Sequence, residues 1–210
     1  MKQPEPAGSG KEHLIAPDIS PLLHTIGYLH PLSPEIEAYL KEHVTICSAR
    51  KRKLILKEGA VCNYVYFLVK GAVRGFIREA QKDITTWIVI ENDLVTSIFS
   101  LDNPAPSIEN IQALENCELL ALSFDSLNEL YIRFPEFNLI ARKLLQRYYA
   151  DAERRAFIAR LTKAENKYRH FLLLHQPLAN RIPLKYIASY LGMTLETLSR
   201  VRKKFTARLG

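Results

Sequence analysis

The 210-residue chain lacks a long apolar run. Nowhere does it reach the roughly 18 consecutive apolar residues that a membrane-spanning helix needs. Its N-terminal stretch, Met1-Lys-Gln-Pro-Glu-Pro-Ala-Gly-Ser-Gly-Lys-Glu12, has no apolar segment of the kind that a secretory signal carries. Together these absences predict a cytoplasmic protein without a membrane span. Cysteine is also scarce. Cys47, Cys62 and Cys117 are odd in number and scattered, so they read as reduced thiols and not as a disulfide frame, an iron–sulfur site or a structural zinc site. The usual catalytic signatures are missing as well: no nucleophile elbow, no P-loop, no Gly-rich dinucleotide turn and no HExxH. Glu58 beside Gly59 reads as a turn residue, and Trp87 and the Tyr148-Tyr149 pair as core or interface aromatics. The chain is expected not to be an enzyme, with no cofactor and no metal identified.

What is present is a sizeable core and a lopsided charge. Hydrophobic residues make up 48% of the chain, which excludes wholesale disorder. The net charge of +7 is concentrated at one end: residues 141–210 hold 16 Lys and Arg against 4 Asp and Glu, whereas residues 1–140 are net acidic. Such asymmetry points to a polyanionic partner for the C-terminal part, and double-stranded DNA is the natural one. A membrane surface would require an exposed apolar helix face, and the apolar residues here fit a core.

The basic end contains the most informative stretch, Leu184 to Phe205. It reads as two short helices joined by a tight turn, the form of a helix-turn-helix. Ile187, Leu191, Leu198 and Val201 line an inner face, and Ala188 is small where the helices approach. Gly192 suits a turn that needs positive φ, and Thr194 can cap the second helix, with Glu196 in its first turn. The outward face carries Glu196, Thr197, Ser199, Arg200, Lys203 and Lys204.

Upstream, residues 1–20 hold three prolines and two glycines and read as a flexible tail. Ser33-Pro34 opens a helix. From about Cys47 to Phe124, short β-rich runs (Tyr64–Val69, Ala72–Ile77, Thr85–Ile90, Cys117–Leu122) alternate with turn signals at Lys57–Gly59, Lys70-Gly71, Glu91–Asp93 and Asp102–Pro106, which predicts a compact β-roll or jelly roll. Asp125 is expected to cap a short helix. One long helix should run from Glu136 to Leu161. Its seam Phe137, Ala141, Leu144 and Tyr148, continuing through Asp151, Arg155 and Ile158, has the spacing of a homodimer interface, although the same face could pack on its own barrel. Thr162-Lys-Ala-Glu165 reads as a capping box that opens the next helix after a hinge, and Gln176–Pro183 as a loop. The fold class is therefore α+β: a flexible tail (1–20), an N-terminal β-roll sensor domain (21–135), a long dimerisation helix (136–161) and a C-terminal helix-turn-helix domain (162–210).

This order of parts resembles the CRP/FNR family of bacterial transcription regulators over about residues 21–205. The most specific part is Leu191-Gly-Met-Thr-Leu-Glu-Thr-Leu-Ser-Arg200, similar to the family's recognition segment and closer to the FNR form, Glu-x-x-Ser-Arg. The resemblance implies that Glu196, Ser199 and Arg200 read bases, and the chemistry agrees: Arg can bridge guanine O6 and N7, and Glu can accept from cytosine N4. Thr194, Thr197, Lys203, Lys204, Arg202 and Lys185 then suit the remaining DNA contacts, mostly to phosphate. The resemblance also implies a homodimer, with RNA polymerase as a further partner.

The chain departs from the family in its cassette, where CRP places a Gly-Glu and an Arg-Ser pair around cyclic AMP. Thr96 and Ser97 stand at the first pair, and Ser107 and Ile108 at the second. No Arg or Lys occurs between Glu91 and Ala113. A buried phosphate without a cation is hard to hold, so cyclic AMP bound in the usual manner is not expected and the effector is unidentified. Arg74 could reach the pocket but reads as a rim residue, and Phe99 or Ile108 could plug the site. The FNR N-terminal cysteine cluster is missing, and His24, His30 and His43 read as surface or packing residues. The chain ends soon after Phe205, which predicts a wing-less subgroup. A sequence-specific regulator is one reading; a ligand- or protein-binding adaptor with a vestigial DNA-binding domain is the alternative.

Overall fold

A computed structural model describes residues 17–101 and 105–206. Two compact units emerge: one takes residues up to Gly75 with Ile88–Arg147, the other Phe76–Trp87 with the chain from Tyr148 onward. Among the described residues, no helix is long and apolar enough to cross a membrane.

The first unit begins with two helices, α1 (Ser20–Leu29) and α2 (Pro34–His43). Ser33 caps α2 by accepting from the Ile36 N–H at 3.4 Å, as the Ser-Pro pair predicts. The expectation of a tail as far as residue 20 is corrected at its end. Residues 1–16 lie outside the described part, but Ile19 is buried and Ser20 already starts α1. Along the chain, the described residues then form eight strands, β4 and β5 extending into the second unit: β1 (Thr45–Ala49), β2 (Leu54–Leu56), β3 (Tyr64–Lys70), β4 (Ala72–Glu79), β5 (Lys82–Ile90), β6 (Asp93–Val95), β7 (Asn110–Ala113) and β8 (Cys117–Ser123), with the single helical turn α3 (Ile98–Leu101) between β6 and β7. They form two four-stranded sheets in the orders β1-β8-β3-β6 and β2-β7-β4-β5. β3 is antiparallel to both neighbours, with Tyr66 opposite Ala121 and Val95. Alternation sends Phe67, Leu120 and Leu122 to a core shared with α1 and α2.

The turn residues act as their chemistry dictates. Gly71 has φ +110°, and a Cβ there would stand 2.7 Å from Cys117 Sγ and 2.9 Å from the Asn116 carbonyl. Asn92 adopts φ +66° in the turn before β6. The turn expected at Asp102–Pro106 falls largely outside the described residues.

Helix α4 (Phe124–Arg133) is capped by Ser123, not by Asp125: the Ser123 hydroxyl accepts from the Ser126 N–H at 3.1 Å, which leaves Asp125 within the first turn. Helix α5 (Phe137–Arg160) is the long helix, within a residue of the expected limits. Helix α6 (Ala164–His175) starts after Lys163 without a side-chain cap, so the expected Thr162 capping box does not form. The stretch read as a loop contains a 3₁₀ turn, Gln176–Asn180, whose Leu178 and Ala179 are buried. Helices α7 (Leu184–Tyr190) and α8 (Leu195–Thr206) complete the second unit. Within that unit the β4–β5 hairpin meets α7 through one hydroxyl: Ser189 Oγ accepts from the Thr85 N–H at 2.9 Å and donates to the Asp83 carbonyl at 3.1 Å.

Candidate nucleic-acid interface

The α7–α8 pair is built from the bottom up as its residues suggest. Ile187, Ala188, Leu191, Leu198 and Val201 are all buried between the helices and their support. Gly192 turns the chain with φ +60°, and the Met193 N–H returns to the Ala188 carbonyl at 3.0 Å. Thr194 caps α8, its hydroxyl accepting from the Thr197 N–H at 3.2 Å and donating to the Thr197 hydroxyl at 3.1 Å. Thr197 is thus half-buried and already engaged. From behind, Lys167 on α6 donates to the Leu191 carbonyl at 3.1 Å, satisfying an end of α7.

The opposite face of α8 is open. Leu195, Glu196, Ser199, Arg200, Lys203 and Lys204 line a shallow depression of about 590 Å³. Glu196 is fully solvated, and its carboxyl is held below the ordinary range by its own backbone N–H and then by the Thr194 side chain. It is therefore an ionised acceptor at neutral pH. Arg202 is turned aside, donating to Asn180 Oδ1 at 3.1 Å. On α7, Lys185 is exposed, its ammonium 4.9 Å from the Tyr186 ring centroid. Lys204 Nζ lies 3.2 Å from Glu165 Oε1 on α6. The structure thus places Glu196, Ser199, Arg200, Lys203 and Lys204 on one accessible face. Glu165 was legible only as a local capping residue, because its partner lies 39 positions away.

In the described part of the cassette the hydroxyls bond to one another and to the backbone. Ser97 and Ser107 are buried, with their Oγ atoms 3.0 Å apart. Ser107 Oγ also donates to the Glu109 carbonyl at 2.9 Å, and its backbone pairs with Gly59 and Ala60. Thr96 donates to the Tyr64 carbonyl at 3.1 Å. Ile108 and Phe99 are 53% and 61% exposed, so neither plugs a pocket. Arg74 is not a rim residue: it is 2% exposed, and its Nε donates to Gln112 Oε1 at 2.9 Å. Glu58 is a turn residue, its N–H donating to Asn110 Oδ1 at 3.0 Å. His43 packs on Tyr39 with ring centroids 3.9 Å apart. All three cysteines are free and buried, and burial pushes the Cys47 thiol up to about 12 and Cys117 up to about 11. Among the described residues, no three His, Cys, Asp or Glu side chains are grouped to hold a metal ion.

The seam read on α5 faces inward. Phe137 belongs to the core of its own unit and Leu144 packs against it. Ala141, Tyr148, Asp151 and Arg155 are half-buried, and Ile158 is buried. Arg147 pairs with Asp93 at 3.7 Å on the same side of the first unit. The N-terminal part of the seam, Phe137 and Leu144, thus takes part in intrachain packing. The exposed large apolar residues of α5 are Leu139 (39% exposed), Leu145 (56%), Tyr149 (68%) and Phe157 (54%), and Tyr149 is followed at spacings of three and four by exposed Ala152 and Ala156.

Comparison with known proteins places these parts in context. The family model for the cyclic nucleotide-binding domain matches residues 46–134. The transcriptional activator protein Anr of Pseudomonas protegens is 23% identical over 168 residues, which cover 74% of this chain and 68% of Anr. The solved structure of FixK2 from Bradyrhizobium japonicum has a TM-score of 0.68 at 23% identity, covering 79% of this chain and 85% of FixK2. A structure from Eubacterium rectale, described as a transcriptional regulator of the CRP/FNR family, has a TM-score of 0.68 at 14% identity, with 88% of each chain covered. At these identities the structural likeness is one of fold.

Proposed function

We propose that the chain is a regulator of the CRP/FNR type, which its fold and its matches resemble: a homodimeric, sequence-specific DNA-binding transcription regulator whose α7–α8 pair is a helix-turn-helix with α8 as the reading helix. The observation that carries this is the exposed polar face of α8, where Glu196, Ser199 and Arg200 stand together on a helix capped by Thr194 and held by a buried apolar seam. In this reading the three side chains contact base edges in the major groove, and Arg200 supplies the bidentate donor that guanine accepts. Lys185 and Lys203 meet phosphates and set register, with Lys204 beside them paired to Glu165. A second copy associates through Leu145, Tyr149, Ala152 and Ala156, where small residues allow two α5 helices to approach closely. Two reading helices then face half-sites about one DNA turn, ~34 Å, apart.

The sensor half does not take cyclic AMP in the manner of CRP. The two serines at the ligand-binding positions are buried against each other, and Arg74 is committed to Gln112. A signal at the β-roll would act by favouring one arrangement of α5 and the three residues before α6 over another.

The test is selection from a pool of random duplexes. Wild-type protein should enrich one sequence repeated with two-fold symmetry, and Arg200→Ala should remove the enrichment while the folded dimer persists. Failure of the wild-type protein to enrich any sequence favours the adaptor reading instead.

A further inference from the structure

Beside the reading face of α8 stands a carboxylate of α6 that no proposed DNA contact uses. Glu165 stands in the first turn of α6, and its Oε1 lies 3.2 Å from Lys204 Nζ. Its carboxyl is held below the ordinary range by its own backbone N–H at the helix start, and then by Lys204 and Arg200. A carboxylate ionised at neutral pH therefore sits among two cations that line the depression on α8. The side chains are 39% and 57% exposed, so the pair does little for folding: such surface pairs contribute at most about 1 kcal/mol. Its consequence is larger for a polyanion. A phosphate approaching Lys204 finds the ammonium already partnered and meets a second anion beside it.

We propose that Glu165 is a positioning residue for specificity. By holding Lys204, it withholds a cation from indiscriminate phosphate contact and lowers affinity for non-cognate DNA. Base contacts from Glu196, Ser199 and Arg200 do not depend on Lys204, so they keep their full weight in cognate binding. The ratio of cognate to non-cognate affinity rises accordingly, and that ratio governs selection among many competing sites. This inference rests on the DNA-reading function proposed above.

The experiment compares wild type, Glu165→Gln, Lys204→Gln and the double variant, with the melting temperature of each recorded. Binding is measured to the selected duplex and to a scrambled duplex across a salt series. Glu165→Gln removes the anion without changing side-chain shape. It should tighten scrambled-duplex binding several-fold and steepen the slope of log K against log salt by about 0.9, the contribution of one additional phosphate contact. Cognate binding should tighten less, so the affinity ratio falls. In the Lys204→Gln background the substitution should no longer steepen the slope. A merely structural role for Glu165 would shift melting and leave the slope unmoved. An unchanged slope in Glu165→Gln, with wild type still binding DNA in a salt-dependent way, overturns the inference alone. Absence of salt-dependent binding in wild type overturns it together with the reading it rests on.

Discussion

Ser97 and Ser107 illustrate how single hydroxyls set what a pocket can accept. A cyclic nucleotide needs a cation or a dense set of N–H donors for its phosphate. Here both serine hydroxyls are spent on each other, with Ser107 also engaging Glu109, and the buried guanidinium of Arg74 is bonded to Gln112. Cyclic AMP at about 1 mM is therefore expected to leave the melting temperature unchanged within about 1 °C. A ligand present at a hundredfold its dissociation constant would add about 2.7 kcal/mol and move melting by several degrees, and a shift of that size in a thermal melt would contradict the cassette assignment. The absence of Lys and Arg from Glu91 to Ala113 was visible in the sequence. The burial of Arg74 was not, because a strand residue's inward or outward direction depends on register with β7 and β5.

Helix α5 shows where element-level reasoning divides. Phe137, Ala141, Leu144 and Tyr148 satisfy the spacing of an interhelical seam, and they equally satisfy the stripe of a helix packed on its own domain. The core around Phe137 and Ile140 favours the second for the start of the helix. The dimer seam proposed here lies instead along Leu145, Tyr149, Ala152 and Ala156. Substituting Tyr149 by Glu should dissociate the dimer, seen by sedimentation, with little loss of monomer stability. Phe137→Ala should cost about 3–5 kcal/mol of stability by opening a core cavity. If Phe137→Ala dissociates a stable chain and Tyr149→Glu does not, the original seam is the correct one. Local devices were the legible part of the sequence. Gly192 and Thr194 specify the α7–α8 turn within a few residues, and Ser33-Pro34 specifies the start of α2. Caps that compete at close spacing were not legible: Ser123 wins over Asp125, and Thr162 forms no cap at all.

At the scale of the molecule, the sequence conveys the order of parts more fully than their relations. Strand runs and turns from Tyr64 to Leu122 follow from alternation and turn chemistry, and the structure bears out each of the four strand segments. The pairing of Lys204 with Glu165, and of Ser189 with the β4–β5 hairpin, spans 39 and more than 100 positions and leaves no local trace. The charge distribution is legible throughout, and it makes the polyanion partner the most exposed claim. The direct test is the equilibrium affinity of the wild-type protein for duplex DNA, measured from about 50 to 200 mM salt. The account predicts a steep, linear fall of log K with log salt, with a slope of several units set by the basic face, and a sequence-specific excess above it. Affinity that is weak and indifferent to salt would contradict it.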